Sequence, residues 1–163
     1  MTYRKIAVPV LILILLAARI AAERAVVTFG TTLLLPADVV KVDEKGPAKL
    51  VRLRYHTLLL PQDVSESGGK ILVAKNKIGA VSFLSLYNPD IPLRPREYVL
   101  RYRVVFGEKP AVRFGADEIT VPAGVPAEKT AYAVLKVSKS GRSALVGLAD
   151  ASGTILFKNR NLP

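Results

Sequence analysis

The chain has 163 residues, a formal net charge of +11, one histidine and no cysteine. That length allows one domain with a real core and is short for two. The missing cysteines exclude disulfide staples, thiol nucleophiles and cysteine-bearing zinc or haem sites.

Arg4 and Lys5 precede an apolar run over residues 6–22, which Arg19 interrupts and Glu23 and Arg24 close. A spanning helix needs about 20 apolar residues to cross roughly 30 Å of hydrocarbon. This run has seventeen, counting Arg19, whose long side chain lies close enough to one end to reach the headgroups. Pro9 falls in the first turns, where a missing N–H matters least. The run reads as an uncleaved transmembrane anchor. A cleaved signal peptide is the rival reading, but no two alanines here stand in the Ala-x-Ala relation, and Ile20-Ala21-Ala22 is only a substitute; a buried helix of a soluble protein is the third reading. Under the anchor reading Ile6, Leu11, Leu15 and Arg19 touch the membrane or a partner helix. Arg4 and Lys5 keep the N-terminus cytoplasmic, so the body faces the periplasm or the cell exterior. Residues 1–24 are then the cytoplasmic stub and anchor, and residues 25–163 an extracytoplasmic domain. The first 24 residues hold four basic side chains and one acid, so the body keeps 20 and 12, a net +8. Such a surface favours anionic partners, meaning lipid headgroups or an acidic protein face, and nucleic acid is not expected outside the cell.

Alternation replaces helical periodicity after residue 30. Residues 31–35 and 39–42 read as strands separated by Pro36. Lys45-Gly46-Pro47 is a turn. Residues 50–55 alternate cleanly, with Val51, Leu53 and Tyr55 on one face and Arg52 and Arg54 on the other. Residues 58–60 are apolar up to Pro61, and residues 63–69 form a polar loop. Residues 71–74 and 80–87 are the arms of a hairpin around Lys75-Asn76-Lys77, and a proline-rich connection follows over 89–95. The strongest strand is 98–106, with Tyr98, Leu100, Tyr102, Val104 and Phe106 on one face and Arg101 and Arg103 on the other. A turn at 107–110 and a short strand at 111–114 come next. Residues 122–126 break the pattern, and residues 127–133 hold the one helical turn expected in the body. Residues 131–138 and 143–148 make a second hairpin turned by Ser140-Gly141. Residues 154–157 are a last strand before a polar tail. Eight to ten short strands at these spacings predict a mainly β chain, in which an N-terminal transmembrane helix precedes a single antiparallel β-sandwich or barrel-like domain.

The residues that carry most chemistry are scarce. His56 alone, with no cysteine, does not make a usual zinc site. Asp43-Glu44 and Asp117-Glu118 are adjacent acids, which point to opposite faces of a strand and chelate poorly. Ser65, Ser67 and Lys70 are close in sequence and invite comparison with a serine–lysine peptidase, but nothing local orients a base against either serine. No Gly-rich phosphate loop or dinucleotide fingerprint is present. No catalytic residue, cofactor or metal is therefore expected. If the two basic strands pair, Arg52, Arg54, Arg101 and Arg103 form one stripe able to grip carboxylate or phosphate in the planar, two-point manner of arginine.

The order of these segments resembles the membrane-anchored bacterial GDYXXLXY proteins. Val42-Asp43 stand where that family has Val-Asp, and the signature falls on residues 48–55. Leu53 and Tyr55 match it, while Ala48, Lys49 and Leu50 replace its Gly, Asp and Tyr. Gly115, Asp117 at the glutamate position, Val121, Pro122 and Gly124 match a later segment, and residues 134–148 resemble the closing hairpin. The resemblance implies a membrane-tethered, extracytoplasmic β-domain with no activity attached. Any role of the replaced Gly-Asp-Tyr is not expected here.

Together these features predict a non-enzymatic, single-pass accessory subunit whose β-domain docks on a larger integral-membrane complex. The alternatives are a module that binds envelope polymers or anionic lipid through the arginine stripe, a self-assembling filament or shell subunit, and a hydrolase using Ser65 or Ser67.

Overall fold

A computed structural model describes residues 3–56, 68–105 and 111–159. The chain opens with a 27-residue helix, α1, over Tyr3–Phe29. One residue, Gly30, separates it from strand β1, Thr31–Lys45. Nine more strands follow: β2 (Ala48–Tyr55), β3 (Gly68–Lys75), β4 (Val81–Leu86), β5 (Glu97–Val105), β6 (Ala111–Arg113), β7 (Glu118–Pro122), β8 (Tyr132–Val137), β9 (Ser143–Ala149) and β10 (Ile155–Lys158). A 3-10 turn over Ala127–Lys129 leads into β8. The chain is mainly β, as the alternation requires.

The strands form two sheets, a six-stranded one in the order β10-β9-β8-β1-β2-β7 and a four-stranded one in the order β4-β3-β5-β6. Every pairing between these strands is antiparallel. The inward residues of both sheets make one core. Leu33, Leu35, Val51, Leu53 and Leu135 come from the larger sheet, and Ile71, Val73 and Leu100 from the smaller. Phe114, fully buried beyond β6, meets Tyr55 edge-on with ring centroids 5.9 Å apart. Along one side the sheets are tied where the Leu34 N–H donates to the Gly79 carbonyl at 2.9 Å, beside a parallel bridge from Leu34 to Ala80. On another side the Arg101 N–H donates to the carbonyl of Gly141 in the β8–β9 turn, also at 2.9 Å. A side chain at Gly141 would press on Val99 and Arg101, and its φ of 85° suits glycine, so the tight turn lies directly on β5.

The structure departs from the sequence expectations in three places. Residues 31–45 are one strand and not two. Pro36 is the last residue of β1 paired with β8, and β2 takes over the pairing from Ala37, so the missing N–H falls at the changeover. Strand β7 was not expected, because five residues ending in a proline resemble a loop. The helix runs on to Phe29, past the expected boundary at Arg24. The expectations for 57–67 and 106–110, including the loop bearing Ser65 and Ser67 and the turn at 107–110, lie outside the described residues.

The last turns of α1 are fixed to the domain. Val26 is buried and Val27 is half-buried against a second core of Leu34, Val134, Val146 and Ala149, on the outer face of the larger sheet. The Gly30 N–H donates to the Val26 carbonyl at 2.9 Å, and Lys136 Nζ donates to the Gly30 carbonyl at 2.9 Å, placing a cation at the helix C-terminus. Only glycine fits at residue 30: an added Cβ would lie 2.3 Å from the Val26 oxygen and 3.0 Å from the Val137 nitrogen. Toward its N-terminus the helix stands clear of the sheets. Nine large aliphatic side chains from Val8 to Ile20, Leu11 and Leu15 among them, are 46–66% exposed and occupy every side of it. Among the described residues no helix is long and apolar enough to cross a membrane.

Candidate functional site

The sequence suggested one stripe of four arginines, and the sheet topology divides it. Arg52 and Arg54 lie on β2 in the larger sheet, whereas Arg101 and Arg103 lie on β5 in the smaller. The strands do not pair, so the four guanidiniums form no single surface. Arg52 is also engaged elsewhere. Its Nε donates to Glu118 Oε1 at 2.7 Å and its terminal nitrogen lies 2.5 Å from the same oxygen, across the β2–β7 register. The pair holds the Arg52 guanidinium pKa above its ordinary value, first through this hydrogen bond and then through the glutamate charge.

Arg101 and Arg103 instead join residues the sequence did not single out as binding groups. They line a groove of about 1180 Å³ between the root of α1 and the edge where β5 and β6 approach β9. Six basic side chains border it, Arg19, Lys70, Arg101, Arg103, Arg113 and Arg142, and no carboxylate is among its described lining residues. Arg19, Ala22 and Val26 come from one stripe of α1, at the i, i+3, i+7 spacing of a single helix face. Arg19 therefore faces the groove at the foot of the exposed apolar stretch. Lys70 also lies 5.4 Å above the Tyr87 ring. Arg101 is steadied by its Nε, which donates to the Ser140 carbonyl at 3.2 Å. Arg113 lies 3.0 Å from Asp117, four residues on in the β6–β7 connection, which neutralises part of its charge. Arg103 and Arg142 are exposed at the rim.

The groove is shaped by backbone contacts between distant segments. The Ser143 hydroxyl donates to the Phe114 carbonyl, locking the start of β9 to the end of β6. Gly115, with φ of 136°, lies against Ser143 where a side chain would crowd it. Below this seam the Tyr55 hydroxyl donates to the Ala116 carbonyl at 2.5 Å. Burial, and then the nearby Asp117 charge, push the Tyr55 phenol well above its ordinary pKa, so it remains a donor.

Other groups considered from the sequence are placed elsewhere. His56 Nε2 lies 2.9 Å from Asp38 Oδ1 with both side chains about half exposed, away from the groove lining. Asp117 and Glu118 are each taken by an arginine, and Asp43 lies 2.8 Å from Lys41 Nζ. No group of three histidine or acidic side chains able to hold a metal ion occurs among the described residues. Periodicity could place Arg101 and Arg103 on one face. It carried no signal that Arg19, Arg113 and Arg142, from three other elements or turns, would converge beside them. No family model, curated protein or solved structure matches the chain.

Proposed function

We propose that the chain is a non-enzymatic, membrane-anchored accessory subunit whose β-domain, held outside the cytoplasm, docks on a larger membrane protein complex. The observation that carries this reading is the free-standing part of α1. A helix that is apolar on every side has no stable place in water and needs lipid or other helices around it. Residues 6–22 rise about 25 Å at 1.5 Å per residue, a few ångströms short of the roughly 30 Å hydrocarbon layer. Arg24 at the C-terminal flank can bridge part of such a difference by extending its charge to the headgroups. The order of segments that resembles the GDYXXLXY proteins points the same way.

The junction at Gly30 gives the anchor a purpose beyond tethering. With Val26 and Val27 packed on the sheet, the domain has a set orientation to the helix, which suits docking against a fixed neighbour. Edge strand β4 supplies a candidate contact face. Leu84 and Leu86 on it, and Ile91 and Leu93 just after it, are exposed. Apolar side chains along an open sheet edge favour association with another protein. Copurification from native membranes in a mild detergent tests the reading. A defined larger assembly supports it, and Leu84→Lys/Leu86→Lys releases the chain from that assembly. A chain that migrates alone at its own 17.6 kDa plus detergent, with no crosslinked partner, refutes it.

A further inference from the structure

The geometry points to the groove at the helix root as a binding site for the phosphate-bearing headgroup of an anionic membrane lipid. The inference rests on the membrane-anchor part of the proposed function, but not on the existence of a partner complex.

Three observations converge on this ligand. First, the groove is cationic on one wall: Lys70, Arg101, Arg103, Arg113 and Arg142 project from β3, β5, β6 and the β8–β9 turn, with no carboxylate among the described lining residues. Arg113 is partly neutralised by Asp117 and the Arg101 Nε is engaged by the Ser140 carbonyl, whereas Lys70, Arg103 and Arg142 are exposed cations on the lining. Guanidiniums match the oxygens of a phosphate in a two-point, charge-assisted manner. Second, the helix side of the groove is apolar apart from Arg19. Ala22 and Val27 of α1 line it beside Arg19, and Val105 adds an exposed apolar side chain on the β5 face that bears Arg101 and Arg103. A small hydrated anion has no use for such a wall, whereas the glycerol and first methylenes of a lipid do. Third, the position is right for a lipid. Arg19 borders the groove next to Ile20, the last exposed aliphatic side chain of the stretch, so the groove opens near the depth where the proposed anchor leaves hydrocarbon. The volume of about 1180 Å³ accommodates a headgroup and glycerol together.

The test uses the full chain in a neutral detergent, with bound lipids counted by native mass spectrometry during titration. The probes are short-chain phosphatidylglycerol, short-chain phosphatidylcholine and inorganic phosphate. The expected result is one saturable phosphatidylglycerol adduct, no comparable phosphatidylcholine adduct, and no displacement by inorganic phosphate at equal concentration. Arg103→Gln/Arg142→Gln, at two exposed rim positions, should weaken that adduct roughly tenfold or more through loss of two charge-assisted contacts. Lys70→Gln at the same rim should weaken it independently. Arg52→Gln/Arg54→Gln removes the same charge from β2 and should leave it unchanged. Equal weakening by the two double variants would overturn the site in favour of diffuse charge attraction. Equal adducts with phosphatidylcholine would overturn headgroup recognition, and displacement by inorganic phosphate would assign the groove to a free anion. Failure of copurification with a partner would leave this result untouched, so the two readings fail separately.

Discussion

Replacing Tyr55 with phenylalanine separates a buried phenol's two contributions, because one of them depends on pH. Tyr55 is 5% exposed and its hydroxyl donates to the Ala116 carbonyl at 2.5 Å. Phenylalanine keeps the ring and its edge-on contact with Phe114. At pH 8 the variant should lose only the hydrogen bond, about 0.5–1.5 kcal/mol, since exposed Ala116 can take water instead. The second contribution appears in alkali. The folded phenol is held well above its ordinary value of 10.0, while the unfolded chain ionises near that value. A raised folded pKa gives stability that is whole below the unfolded pKa and is lost as pH rises above it. At pH 11, RT ln 11 gives a loss of about 1.4 kcal/mol in the native protein that the phenylalanine variant does not suffer. The gap between the two should close or reverse between pH 8 and pH 11. Denaturant titrations of both full-length proteins in neutral detergent, followed by circular dichroism, measure it, and the remaining titrating groups cancel in the difference. A gap that stays constant across this range would refute the burial of a protonated Tyr55 under the groove seam.

Two further substitutions test local claims. Gly30→Ala forces a methyl group into the backbone of Val26 and Val137, neither of which can rotate away; an overpacking cost of about 1–3 kcal/mol should lower the thermal midpoint by several degrees and raise proteolysis at the helix junction. Unchanged stability and protection would mean the helix root is not fixed to the sheet. Asp150 Oδ1 accepts from the Ser152 and Thr154 amides and the Ser152 hydroxyl in the β9–β10 turn, and these bonds, the hydroxyl first, hold its pKa below the usual value. A depressed folded pKa gives stability present above the unfolded value of 3.8 and lost as pH falls through the folded one, so the native advantage over Asp150→Asn should shrink between pH 6 and pH 3. An advantage that does not change with pH would rule out a charged acceptor in that turn.

How far the sequence reached can be judged from single elements. Arg52 and Arg54 alternate with Val51, Leu53 and Tyr55, and the structure exposes the first two and buries the other three, since a two-residue period needs no knowledge of partners. The same holds for Arg101 and Arg103 against Leu100 and Tyr102. Both hairpins were legible from their turns. Residues 25–29 were not, because Val26, Val27 and Phe29 suit a strand as well as a helix, and packing of Val26 on the sheet decides between them. The groove was beyond reach for a related reason. Whether β2 and β5 share a sheet depends on long-range pairing, and β2 takes β1 and β7 while β5 takes β3 and β6. Periodicity assigns a face to each strand but not its neighbours. Arg19 was singled out as a contact with the membrane or a partner helix, whereas the structure places it on the lining of a groove against its own β-domain.

Photocrosslinking from single positions on α1, in native membranes, tests the central claim most directly. With a photoreactive residue at Leu11 or at Leu15, the account predicts alkali-resistant membrane association and adducts to membrane lipid on some helix faces. It also predicts a discrete crosslinked band with an integral membrane protein on at least one face. Extraction of the chain by alkaline carbonate, with no adduct to lipid or membrane protein from either position, would contradict it.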